Sequence, residues 1–491
     1  MDKPRRVKKE FILLSLFALL ALGGYFFWSS QVYRIGYPLD DAWIHQTYAR
    51  NFAQTGQWVY SPGQTSGGST GPIWGFLLAV LHLVRLPEIA GTAILGWFLL
   101  VWTAVFTLNL VLEFKPDLKI NRIFIGGIVI FEWHLVWSAG SGMETLLFSL
   151  IAISVIYLTG KPDRSVFLIG FLAGLSVWVR PGGLTLIGPV LFVMAFSDLD
   201  QKIKNISYAI TGFLTPVIPY FLFNYFVVGD FWPNTFFAKQ AEYAELLKLP
   251  FFNRFWTVFN QLLVGVGILL FPGLIETVRI AVKSKNWQVL GGACWLFGYL
   301  GIYVLKLPVD YQHGRYVIPV VPIYLGLGLA GSAEIFSWNS EIAWRRILGR
   351  LFWTSVAAVS LVFWIKGADA YARDVAVIET EMVETALWIN QNLEENAVIA
   401  AHDIGALGYF GNREIIDLAG LITPDVIPII RNEAALSAYL NLKKADYLMT
   451  FPDWYQQLND GLPVVYRSKG KFAPQFGAEN MTIYSWQLKG E

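Results

Sequence analysis

A polytopic bundle of transmembrane helices, closed by a small α/β domain, is the fold class the sequence predicts. Three observations predict it. First, 55% of the 491 residues are hydrophobic and only 15% are charged, against about 25% charged in soluble globular chains. Second, long uncharged runs recur from residue 11 to about 366, separated by short polar links. Third, from about residue 367 those runs stop and shorter mixed segments take over. The mean hydropathy of +0.48 agrees with the first observation.

The first ten residues, MDKPRRVKKE, carry five Lys or Arg, and FILLSLFALLALGGYFFWSSQV then runs 22 residues without a charge. A hydrocarbon core about 30 Å thick needs about 20 apolar residues, so this run is read as a span. A signal peptide is the rival reading, but the run exceeds the usual h-region of about 7–15 residues and no A-x-A pattern follows. The basic flank places the N-terminus in the cytoplasm of a cell with this protein in its plasma or inner membrane. Residues 33–72 form the first external loop. After residue 123, apolar runs alternate with two kinds of link. KPDLKINR, GKPDRS, SDLDQKIKN, ETVRIAVKSKNW and SWNSEIAWRRILGR are basic or mixed. SAGSGMET, VRPGG, GDFWPNTFFAKQAEYAELLKLPFFNR and LPVDYQHGRY are aromatic, polar and rich in Gly or Pro. The positive-inside rule puts the first set in the cytoplasm and the second outside.

Residues 73–113 hold two apolar stretches, yet two crossings would leave the basic link at 115–122 outside. One of the two is therefore short, re-entrant or flat, and the expected count is about 10–12 spans. The transmembrane unit covers 1–366 and an extracytoplasmic α/β domain covers 367–491. In the latter, EMVETALWINQNLEENA has helical spacing, and VIAAHD, REIIDLAG and ADYLMTF read as short strands. The lone Cys294 excludes an intramolecular disulfide framework. The net charge of +1 argues neither for nor against a nucleic acid, and none is expected among the partners, which are a lipid-linked sugar donor, a glycan or glycolipid acceptor and the bilayer.

The segment YPLDDAWIHQTYARNFAQTGQWVYSPGQTSGGSTGPIW, residues 37–74, is the most polar part of an otherwise lipid-suited chain. Ile44, Tyr48 and Phe52 fall at i, i+4 and i+8, one stripe of an amphipathic helix too polar to span. Asp40 suits its N-cap and Asp41 its first turn. Capping needs only one acid. A second carboxylate at the membrane surface, facing a pocket, can have its pKa raised and act as a base.

This loop resembles the first external loop of GT-C superfamily membrane glycosyltransferases, in which an acid opens the loop and an aromatic-rich helix follows. The likeness extends in order through SGMETLLF, VWVRPGG, GDFWPNTFFAK, HGRYVIPVVP and HDIGALGYFGNREIIDLAGL, and is strongest to bacterial arabinofuranosyltransferase-like enzymes. It implies inverting transfer of a sugar from a polyprenyl-phosphate donor to an extracytoplasmic acceptor hydroxyl, on a cell-envelope glycan or glycolipid. The turn before the second span reads STGPIW, without the lysine before proline of the aminoarabinose-transferring and protein-mannosylating branches. That departure argues against lipid A and protein acceptors.

The resemblance also implies roles. The general base maps to Asp40, with Asp41 as its neighbour, and one of the two is expected to deprotonate the acceptor. Glu144 matches a second external acid that orients a hydroxyl or helps hold a divalent ion; capping the next helix is its other reading. Arg180 and Arg315 are expected on donor phosphate, because an Arg at a span end is costly unless paired or snorkelling and its planar fork suits phosphate. Lys239 and His313 are further phosphate candidates. Trp43, His45, Tyr60, Asn234 and Tyr316 are candidate substrate contacts, and Trp74 and Trp232 could stack on sugar or prenyl chain; interfacial aromatics are common in any case. His402 and Asp403 are read as a structural strand end. No His/Cys cluster has metal spacing and no G-x-x-x-x-G-K-[ST] occurs. No cofactor is required, although the acids could recruit Mg2+ or Mn2+. The rival function is a transporter or flippase for lipid-linked sugars. That would call for polar groups near the midplane, where only Glu132 and His134 come close.

Overall fold

The computed structural model describes residues 3–61, 64–161, 164–197 and 201–486. Among them, six helices are long and apolar enough to cross a membrane: Lys8–Val32, Glu88–Phe114, Lys202–Val228, Trp287–Lys306, Tyr311–Ile335 and Ala343–Asn392. The number rises to eight if each of two bent pairs is one span. This is a multi-pass membrane protein. Four shorter apolar helices, Pro72–Leu83, Thr145–Thr159, Val166–Trp178 and Pro181–Phe196, make up further apolar runs counted in the sequence. Pro72–Leu83 is the short member of the pair in residues 73–113. Its 12 residues reach about 18 Å at 1.5 Å per residue, well under a bilayer core.

Each bend has a local cause. Arg122–Ile130 and Trp133–Gly140 meet at 56°. Glu132, between them, accepts the Leu135 N–H at 3.0 Å and lies 2.7 Å from His134 Nδ1. Glu132 and His134 Nδ1 thus pair with each other inside that apolar stretch, while the buried His134 Nε2 has no partner among the described residues. Phe251–Leu263 and Gly267–Ser284 meet at 99°, across Gly265 at φ 75°, a conformation that favours glycine.

Small residues let the spans pack closely. A Cβ on Gly170 would stand 2.1 Å from the Ala209 carbonyl oxygen, and one on Gly212 2.1 Å from that of Phe167. Such backbone approach is how apolar helices associate without a hydrophobic driving force. The Ala343–Asn392 helix, 50 residues long, runs beside the first helix, where the Trp364 indole donates to the Ala21 carbonyl at 3.2 Å. It continues through residue 367 without a break. It widens to a π-helical stretch at Ile378–Val383, where buried Glu381 accepts the Met481 N–H at 2.9 Å and takes bonds from Ser468 and Asn480. That carboxylate ties the C-terminal sheet to the bundle.

A two-stranded hairpin, β1 (Val59–Ser61) and β2 (Gln64–Thr65), sits in the first loop. The C-terminal sheet has β3 (Val398–Ala401), β4 (Glu414–Asp417), β5 (Tyr447–Thr450), β6 (Val464–Arg467) and β7 (Thr482–Ser485), in the order β4-β3-β5-β7-β6. β3 is parallel to β4, with Val398 opposite Glu414, and to β5; β7 is antiparallel to β5 and β6. β3, β4 and β5 are the three expected strands, while β6 and β7 are additional. In open α/β sheets ligands gather at the C-terminal ends of parallel strands. Here the ends of β3 and β4 lead into the turns 402–406 and 418–422, which rest on the first loop.

Candidate active site

The first loop folds as expected into a helix, Asp41–Thr55, ended by Gly56 at φ 72°. Asp40 holds the N-cap position but makes no side-chain cap. This corrects the capping expectation. Its carboxylate instead accepts the N–H groups of Gly405 at 2.6 Å and Ala406 at 2.8 Å, in the turn after β3. Asp41, one residue on, turns the other way. Its Oδ2 lies 2.6 Å from Arg315 Nη1.

Asp41 lines a cavity of about 370 Å3, together with His45, Glu144, Arg180, Trp232, Lys239, Arg315 and Tyr316. Arg180 Nε meets Glu144 Oε1 at 2.8 Å, and Glu144 Oε2 lies 3.2 Å from His45 Nε2. Arg315 also donates to the Tyr316 hydroxyl at 3.1 Å, while its buried Nε has no partner. Lys239 Nζ pairs with Glu242 at 3.1 Å. Asp41 and Glu144 are the acids of the lining, against Arg180, Lys239, Lys306 and Arg315. Among its Asp, Glu, Lys and Arg side chains the wall carries two positive charges in excess, and Ile44, Leu184, Ile302 and Leu307 give it an apolar side. Such a cavity suits an anionic head on an apolar tail.

The electrostatics separate the two aspartates. Burial pushes the Asp41 carboxyl up, but Arg315 and Lys239 more than offset it and hold it at about 2. For Glu144 burial is likewise outweighed, by Arg180 and His45, leaving about 2. Asp40 goes the other way: burial and the Asp403 charge raise it, against the two backbone N–H bonds. Burial lowers Lys239, yet Glu242 and Asp41 raise it overall.

Of the expected site residues, Asp41, His45, Glu144, Arg180, Lys239, Arg315 and Tyr316 come together at this cavity. Asp40, Trp43, Tyr60, Asn234 and His313 are not in its lining. Trp43 is buried among the rings of Tyr37, Tyr409 and Phe410. Tyr60 donates its hydroxyl to the Ile404 carbonyl, Trp74 its indole N–H to the Gly142 carbonyl at 2.8 Å, and Asn234 its amide to the Leu421 carbonyl at 3.3 Å. His313 Nε2 lies 2.7 Å from Asp374, with its ring against Trp133 and Trp137. His313 is thus engaged away from the cavity lining.

The sequence reading missed Tyr299, Tyr303, Lys306 and Leu421 in the lining. The first three had a signal, since polar groups on one face near the end of an apolar span imply a wet side. Leu421 had none. Asp403, read as structural, is close enough for its charge to act on Asp40, and it feels Asp41 and Lys239 in turn. Among the described residues no group of three His, Cys, Asp or Glu side chains converges as a metal site.

A sequence family described only as a domain of unknown function (DUF8728) matches residues 371–485. No curated protein matches the chain. Solved structures do. ArnT from Cupriavidus metallidurans bound to undecaprenyl phosphate superposes with a TM-score of 0.62 at 14% identity, over 97% of this chain and 98% of that one. The Archaeoglobus fulgidus oligosaccharyltransferase gives 0.59 at 10% identity, over 91% and 69%. The arabinofuranosyltransferase AftD from Mycobacteria gives 0.53 at 14% identity, over 96% of this chain and 39% of that one. The chain thus has the GT-C fold of these membrane glycosyltransferases, as its motifs imply.

Proposed function

We propose that the protein is an inverting glycosyltransferase. It moves a sugar from a polyprenyl-phosphate donor to an acceptor hydroxyl of an envelope glycan or glycolipid, on the extracytoplasmic side. The observation that carries this reading is the Asp41–Arg315 pair in a cavity with excess positive charge and one apolar side. The neighbours' involvement with undecaprenyl phosphate and with arabinofuranosyl transfer supports the donor class.

The chemistry follows from the pair. Without donor, Arg315 holds Asp41 ionised and a poor base. A donor phosphate entering the cavity takes the guanidinium forks of Arg315 and Arg180 and the Lys239 ammonium. Asp41 then loses its strongest partner, its pKa rises, and its carboxylate is free to accept the proton of the acceptor hydroxyl. That oxygen attacks the anomeric carbon on the face opposite the phosphate, through an oxocarbenium-like state. The new glycosidic C–O bond forms as the bond from the anomeric carbon to the phosphate oxygen breaks. The electron pair leaves with polyprenyl phosphate, whose growing charge the same cations stabilise. Binding the donor therefore switches on the base, so an empty site has little means to activate water or acceptor. Asp40 takes no part in proton transfer; it holds the turn after β3.

The test is transfer by purified protein offered a panel of polyprenyl-phosphate sugars with envelope glycan acceptors. Asp41→Asn should lower kcat about 100- to 10,000-fold, the range for a general base, while binding donor at least as tightly because Arg315 is released. Undiminished turnover in Asp41→Asn would remove it as base, and donor binding without turnover in wild type would favour a carrier. Parallel reactions with EDTA, Mg2+ or Mn2+ decide whether an ion joins the site.

A further inference from the structure

Among the described residues, five acids at or beside the cavity are engaged and Asp403 is not. Asp41 is paired with Arg315, Glu144 with Arg180, and Glu242 with Lys239. Asp40 accepts two backbone N–H groups, and so does Asp417, from Ala419 and Ile422. Asp403 is partly exposed, and among the described residues none of the hydrogen bonds or ion pairs engages its carboxylate. Its neighbour His402 is held by Tyr455, 2.7 Å from Nδ1, and by Glu242.

The turn that carries Asp403 is fixed to the first loop from three sides. Asp40 holds the N–H groups of 405 and 406, Tyr60 donates to the carbonyl of Ile404, and Arg50 donates to the carbonyls of Gly408 and Tyr409. A Cβ on Gly405 would stand 1.9 Å from the Asp40 carbonyl oxygen, so the two chains touch through backbone. A carboxylate near the charges of His402 and Lys239 but with no hydrogen bond or ion pair of its own among the described residues, on so constrained a turn, is a preorganised acceptor of hydrogen bonds. Beside His402 lies Trp454, its ring at 85° to the imidazole with centroids 5.0 Å apart, and 5.2 Å from the ring of Phe451. Trp454 is 49% exposed, unlike most aromatic residues near the site.

Resting on the transferase reading, we propose that Asp403 and Trp454 form the acceptor subsite and bind a neutral saccharide. Asp403 accepts hydrogen bonds from sugar hydroxyls, and Trp454 offers its face to the C–H side of a sugar ring. The Asp403 carboxylate repels a phosphate oxygen placed against it and does not repel a polyol. Among the described residues no third carboxylate or imidazole converges here to hold a divalent ion. The subsite belongs to the C-terminal domain and the base to the first loop, so the acceptor is held across the contact between them.

The test reads binding without turnover. Saturation-transfer NMR and calorimetry are run with methyl glycosides and linear di- to tetrasaccharides of pentoses and hexoses, on wild type, Asp403→Asn and Trp454→Ala. Wild type should bind at least one of these sugars. Asp403→Asn should weaken that binding about tenfold or more, the effect of losing a hydrogen bond to a charged group, with polyprenyl-phosphate affinity unchanged. Trp454→Ala should weaken it comparably. If either variant melts early, Asp403→Glu and Trp454→Phe should restore binding. Saccharide binding that is absent in wild type, or equal in both variants, overturns the proposal. A protein that binds saccharide through these residues but transfers nothing keeps the subsite and loses the transferase reading. One whose Asp403→Asn form transfers with the wild-type acceptor KM does the reverse.

Discussion

Asp40 and Asp41 are adjacent, yet one faces a turn 365 residues away and the other faces a guanidinium. The peptide between them cannot average these roles, because helix geometry sends consecutive side chains about 100° apart. Glu144 illustrates the same dependence of a residue on its partner. It is 1% exposed and neutralises Arg180, which is 7% exposed. Removing one side of a buried pair leaves a charge without compensation and costs about 3–5 kcal/mol. Glu144→Gln should therefore lower the melting temperature in detergent. Added polyprenyl phosphate should restore more of the loss in the variant than it adds to wild type, since phosphate replaces the missing anion. Equal stabilisation of both forms would mean that phosphate does not reach Arg180.

At the level of elements, the helix Asn234–Glu242 meets the end of β3 through Lys239, Glu242 and His402. Burial lowers the His402 pKa, but Glu242 and the Asp403 charge outweigh it and the net shift is upward. Burial raises Glu242, but His402 and Lys239 outweigh it and hold it at about 2. The two shifts set opposite limits. The His402 contribution is complete below its unfolded pKa of about 6.5 and is lost as pH rises through the raised folded value. The Glu242 contribution is present above its unfolded pKa of about 4.3 and is lost as pH falls toward the folded one. This contact should be strongest between about pH 4.5 and 6.5. Melting temperature above pH 6.5 should fall more steeply in wild type than in His402→Gln, whose side chain does not titrate. Parallel curves would show that His402 and Glu242 do not hold the two elements together.

For the whole molecule, the bundle was legible because apolar run length and charged links are written in consecutive residues, and the polar first loop stood out by contrast. The three expected strands were legible for the same reason. What the sequence withheld depends on contacts between distant segments. His313 is claimed by Asp374 on the last long helix, and Asp40 by the turn after β3. The expected boundary at 366/367 falls inside a continuous helix, because WIKGADAYARDVAV adds charges and one glycine but no proline, and its alanines keep the helix going. Strand β6 is mostly exposed, so its VVYR has no alternation to reveal it. These long-range contacts make the C-terminal domain part of the site rather than an appendage, and Gly405 is where that can be tested. A side chain there meets the Asp40 backbone at 1.9 Å, far inside van der Waals contact, and no rotamer of Asp40 relieves a clash with its carbonyl oxygen. Gly405→Val should push the turn off the first loop, breaking the bonds from Asp40 and Tyr60 together. Hydrogen exchange should then rise at 402–411 and at the start of the loop helix while the spans stay protected, and transfer should be lost with donor binding retained. If the variant exchanges and transfers like wild type, the two halves do not work through this contact, and the acceptor is held by the bundle alone.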